Sequence, residues 1–222
     1  MKAPPQTSTP TAHRDDDSLE RFVEWAQLNT KAIGIGVVVV VLAIGGYFVM
    51  HQTAINKEAN AERDYFNAQR SVQAGNLALA QADLEKMLPR YTGTHSGTLG
   101  AILLAQLQYQ QGKFADGIKT LEGAAVTAPA TMVASVRGLI GAGNVDQQKY
   151  AEAAKVYLQA ANDAAFPAEK ENFRAEAARA FAMAGNTVEA LKLWQAIAEA
   201  PDSPRASEAR VRVGELTAVA IK

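Results

Sequence analysis

Hydrophobic positions follow two different patterns along this chain. From Ala32 to Met50 the sequence reads AIGIGVVVVVLAIGGYFVM, nineteen residues without a charge or a proline between Lys31 and His51. At 1.5 Å per residue such a helix covers about the 30 Å hydrocarbon core of a bilayer, so the stretch predicts a transmembrane helix over 32–50. A buried core helix, apolar on every face, would need partner layers that nothing nearby supplies. A cleaved signal sequence would carry an unusually long polar region ahead of an overlong apolar one, so a retained anchor is the better reading. Trp25 just before the span, and Tyr47 and Phe48 at its end, suit headgroup depth.

After Gln52 the pattern changes. Ala, Glu, Gln, Lys and Leu dominate and no alternating β-branched run occurs, which predicts an all-α domain. Breaks fall in QAGNLALA at Gly75, QQGKFADG at Gly112, DQQKYAEA at Gln148 and MAGNTVEA at Gly185, separated by 37, 36 and 37 residues. A period of this size, made of two helices and a tight turn, marks a helical solenoid. Each second helix repeats a small residue (Ala80, Gly117, Ala153, Ala190) and, four positions on, a large one (Leu84, Leu121, Tyr157, Trp194). Small then large lets one helix approach its partner and fill the gap with the next side chain. Seven residues before each break stands another small residue: Ala68, Ala105, Gly141 or Ala178. Pro89, Pro129, Pro167 and Pro201 are expected to close the second helices, and Ser203–Ile221 to supply a capping helix through Ala209, Val213 and Leu216.

Ahead of the span, residues 1–14 are Pro-rich and short of apolar bulk, which predicts a disordered tail. Residues 15–31 predict a juxtamembrane amphipathic helix, with Leu19, Phe22, Val23 and Ala26 on one face and Asp17 and Glu20 at capping-box spacing. The solenoid domain is expected over 51–222.

The small, small, bulky and Pro positions resemble the tetratricopeptide repeat, with four units over 59–203. The departures are a spacing above the usual 34, Gln148 in a glycine position, Thr187 in an aromatic one and Ile197 in an alanine one. SLERFVEWAQLNTK, the span ending GGYFVMHQ, and the Ala-rich repeats together resemble the ancillary SecYEG translocon subunit (YfgM-like) family. That resemblance implies a single-pass protein of the bacterial inner membrane, its N-terminus cytoplasmic and its repeats periplasmic. It also implies translocon subunits and periplasmic chaperones as partners. Charge does not decide the orientation, because Arg14, Arg21 and Lys31 are matched by Lys57, Arg63 and Arg70 across the span. Another envelope complex is the alternative setting, since the repeat fold alone does not specify a partner.

Composition narrows the chemistry. Residues beyond 50 carry eighteen Lys plus Arg against eighteen Asp plus Glu, which leaves no basic footprint for nucleic acid. The chain has no cysteine, and His13, His51 and His95 are far apart in sequence, so no catalytic, metal or cofactor site and no small-molecule substrate is expected. GLIGAG at Gly138–Gly143 lacks the preceding strand of a phosphate-binding loop and falls within a first helix, where Gly141 permits close packing. Two extra glycines should make this the weakest first helix.

By repeat register, a protein-binding groove on the concave face would be lined by Tyr65, Gln69, Gln106, Tyr109, Gln110, Asn172 and Arg179. These amides and aromatics suit an extended backbone or a partner domain; the plainer alternative is a solvated polar face. Within the span, Ala32, Gly36, Ala43 and Gly46 form a small-residue seam with Val39 between them. It would admit a partner helix, unless it reflects only the abundance of small residues in such segments.

Overall fold

The computed structural model describes residues 21, 23–25, 27–200 and 203–219, and these are helices joined by short turns, with no strand. The predictions for 1–14 and for the start of the juxtamembrane helix lie outside the described residues. Those described between 21 and 28 are helical. The chain divides into two compact units, Met1–Ala54 and Ile55–Lys222.

The part of α1 (Thr30–Gln73) that lies in the first unit carries the apolar span, and Gly34 through Met50 are solvent-exposed throughout. It is the one helix among the described residues long and apolar enough to cross a membrane. Helical structure continues past Met50, because HQTAINKEANAERDYFNAQR holds strong helix formers and neither Pro nor Gly.

The second unit repeats one motif. The last part of α1 pairs with α2 (Leu77–Met87), α3 (His95–Gln110) with α4 (Phe114–Thr127), α5 (Ala130–Asp146) with α6 (Tyr150–Asp163), and α7 (Pro167–Met183) with α8 (Thr187–Glu199). Then α9 (Ala206–Val219) follows. Each hairpin turns on a residue of positive φ: Gly75 at +75°, Gly112 at +73°, Gln148 at +58° and Gly185 at +77°. The same two bonds close every turn. In the first, the Gly75 N–H donates to the Val72 carbonyl (2.9 Å) and the Asn76 N–H to the Ser71 carbonyl (2.8 Å). This is the Schellman arrangement, which needs a left-handed residue at its bend. In the first and last turns the following asparagine also caps the next helix, Asn76 accepting from the Leu79 N–H and Asn186 from the Glu189 N–H.

All twelve small and large packing positions read from the repeats are buried. They do not form one core. Leu84 packs with Leu104 and Leu107 of the next hairpin, Leu121 with Val136 and Ile140, Tyr157 with Ala177, Ala180 and Phe181, and Trp194 with Ala175, Ala178 and Ala209. Every hairpin thus buries its large residue against its successor, which is how a solenoid is stabilised. At the C-terminal end α9 plays the successor's part, with Ala209 fully buried.

One expectation needs correction. Pro129 and Pro167 open helices as much as they close them. Pro129 is the N-cap of α5 and Pro167 the first residue of α7, where the missing N–H costs nothing and the fixed φ suits the helix. Pro201 lies outside the described residues. The glycines of α5 permit close packing, as expected at Gly141: a Cβ on Gly138 would meet the Phe173 ring at 2.5 Å and one on Gly141 the Tyr157 ring at 2.7 Å, while at Gly143 it would collide with the Tyr109 hydroxyl. Each seats an aromatic side chain from a neighbouring helix.

Candidate protein-binding face

The seven residues assigned by register to one groove separate into two groups. Gln106 and Gln110 stand exposed one turn apart on α3, and Gln69 is half-buried on α1. Tyr65 is also half-buried, packed at the edge of the first cluster with its ring 5.9 Å from that of Phe66. These four present amide and phenol groups from the first helices of the first two hairpins.

Tyr109 and Arg179 are half-buried among neighbouring helices, and Asn172 is exposed but held by a bond from another segment. The Tyr109 ring packs against Gly117 and Gly143, and its hydroxyl donates to the Leu139 carbonyl at 3.1 Å. Burial, reinforced by the charge of Asp146, pushes its pKa up to about 12. Its aromatic size is used between consecutive hairpins, which the register alone could not distinguish from exposure. Asn172 accepts from Arg205 beyond α8. The Arg179 guanidinium lies 5.6 Å over the Trp194 ring and pairs with Glu176 and Glu208. Burial there works to lower the Arg179 pKa, and the bonds from Glu208 and Glu176 outweigh it, so the cation is held more firmly. The only groove cation read from the sequence is therefore neutralised by the capping helix.

A polar clamp lay beyond sequence reasoning. Across the connection between α2 and α3, Lys57 donates to the Thr92 carbonyl at 2.7 Å and the Tyr91 hydroxyl donates to Asp64 at 2.8 Å. Glu58 accepts the backbone N–H groups of His95 and Ser96, each at 2.8 Å, so a carboxylate from α1 seals the positive end of α3. Burial works to raise the Glu58 pKa, but the bonds from Ser96 and His95 prevail and hold it below the usual range. The partners are 27 to 38 residues apart, and no repeat signal in the sequence marks them.

Within the span, Gly36 and Gly46 have no atom within 4 Å of where a Cβ would stand, and Ala43 is exposed. The side chain of Ala32 lies outside the described residues. Among the described residues no group of three potential metal ligands occurs. His51 stacks on Tyr47 at 5.9 Å, and His95 starts α3.

A family profile described as tetratricopeptide repeat-like domain matches residues 24–216. The chain belongs to the tetratricopeptide repeat-like domain family. Solved structures agree on the fold. One is the crystal structure of "nearly identical TPR-like repeats" from a Podosopora anserina protein named after kinesin light chain. It is 15% identical with a TM-score of 0.54, covering 72% of this chain and 86% of that one. A point variant of the same Podosopora anserina protein gives the same identity and TM-score over 72% and 85%. No curated protein matches the chain. In this tetratricopeptide repeat-like protein, as across a fold used for protein–protein interaction, the described surface is that of a scaffold.

Proposed function

We propose that the chain is a non-enzymatic scaffold, anchored in the bacterial inner membrane by residues 32–50, which holds protein partners at the periplasmic exit of the Sec translocon. The observation that carries it is the pairing of a wholly exposed apolar segment, Gly34–Met50, with a tetratricopeptide-like solenoid. An apolar helix of this length with no protein cover is soluble only in lipid. The translocon and the periplasmic side rest on the resemblance of SLERFVEWAQLNTK and GGYFVMHQ to the ancillary translocon subunits. The binding face is Tyr65, Gln69, Gln106 and Gln110, since Tyr109 and Arg179 are engaged by neighbouring helices and Asn172, though exposed, is engaged by Arg205. In the membrane, the exposed seam of Gly36, Ala43 and Gly46 is where a partner helix would seat.

Affinity purification of the full chain in mild detergent tests the reading. Recovery of translocon subunits and periplasmic chaperones is expected; their consistent absence, with a different envelope complex in their place, would move the scaffold elsewhere. Protease added to spheroplasts should digest residues 60–222, and protection of that region would reverse the orientation.

A further inference from the structure

The longest fully described connection between hairpins walls a cleft. Leu88–Thr94 separates α2 from α3, whereas Ala128 and Pro129 suffice between α4 and α5. Pinned to α1 by Lys57 and Asp64, this loop faces α4 and the first turns of α3 across a cavity of about 380 Å³. That is within the size of sites that take a small ligand or a peptide side chain.

Three features of the lining indicate an occupant. Leu88, Pro89, Ala101 and Ala124 make it chiefly apolar. Lys119 lines it as well and forms no ion pair among the described residues. Gly123 lies beside them in the middle of α4, where glycine is the least favourable residue after proline. A Cβ there would meet nothing within 4 Å, so no packing inside the chain requires this glycine, unlike those of α5. What it offers is bare backbone, open to close approach from outside.

We infer that this cleft binds an extended segment of a protein partner that presents a bulky apolar side chain next to a carboxylate. The side chain fills the space between Leu88 and Ala124, the carboxylate meets Lys119, and the segment's backbone crosses Gly123. The inference rests on the chain being a protein-binding scaffold, but not on the first-helix face. Ala101 and Gln106 are five residues apart, about 140° round α3, so the two surfaces can be tested separately.

The test is fluorescence anisotropy with the full chain in lipid nanodiscs, using labelled Glu-Phe-Glu-Phe-Glu against Lys-Phe-Lys-Phe-Lys. The acidic peptide should bind at least tenfold more tightly. Gly123→Leu should weaken it at least tenfold with no loss of thermal stability, and Lys119→Glu should reverse the preference. Gln106→Ala with Gln110→Ala should leave it unchanged. Equal binding to all variants, or none to the wild type, would overturn the inference. So would binding lost only in the glutamine variant, which would place the peptide on the first-helix face. Saturable binding of sodium decanoate that Gly123→Leu abolishes, without peptide binding, would make the cleft a site for free acyl carboxylates and equally defeat it.

Discussion

Gln148 holds a conformation that its three counterparts give to glycine, at φ +58° against +73° to +77°. A side chain in the left-handed region costs about 1–2 kcal/mol. Gln148→Gly should therefore stabilise the domain by about 1 kcal/mol, read as a higher urea midpoint at unchanged slope. Gly112→Ala should cost about as much in the opposite direction. Glu58 offers a second measurement at this scale. Its folded pKa is lowered, so its contribution is present above the carboxylate's unfolded value and lost as pH falls through the folded one. Glu58→Gln should lower stability at neutral pH and flatten the acid limb of the stability profile below about pH 4.5. An unchanged profile would show that the α3 terminus does not depend on this carboxylate. The turn positions were legible because each left-handed residue must recur once per repeat. The clamp was not, since Glu58 looks like any other charged residue on an exposed helix until the loop folds over it.

Helices in this chain specify their neighbours by side-chain size. Small positions such as Ala80 and Ala190 and large ones such as Leu84 and Trp194 could be read from the sequence, because spacing alone brings them together within one hairpin. The aromatic seats at Gly138, Gly141 and Gly143 could not all be read, because Phe173 and Tyr109 come from other hairpins. For the same reason Tyr109 looked like a groove residue and is a bridge. Trp194, only 1% exposed, should cost about 3–5 kcal/mol on truncation to alanine, measured by urea unfolding. Gly138→Ala should cost about 1–3 kcal/mol by overpacking against Phe173. The bridging phenols should also show at alkaline pH. Burial raises the pKa of Tyr109 and of Tyr157 to about 12. With folded values above the unfolded one, their contribution is full below about pH 10 and declines as pH rises towards 12. Absorbance titration at the phenolate band should lose one late-ionising group in Tyr109→Phe.

For the whole molecule, stability and binding are drawn from different surfaces. Interfaces between hairpins use the large residues, and α9 completes the last one by burying Ala209 and pairing Glu208 with Arg179. Removing α9 should therefore expose Trp194 and unfold the last hairpin first, seen as early loss of amide-exchange protection in α7 and α8. In the proposed reading, partners meet the amide-rich first-helix face and the cleft beside α4 instead. The most direct measurement of the account compares recovery of translocon subunits by the wild-type chain with recovery by Gln106→Arg with Gln110→Arg. Both positions are exposed, so the variant should melt as the wild type does. The variant should retrieve at least fivefold less partner from the same detergent extract; equal recovery by two equally stable proteins would show that partners do not use this face.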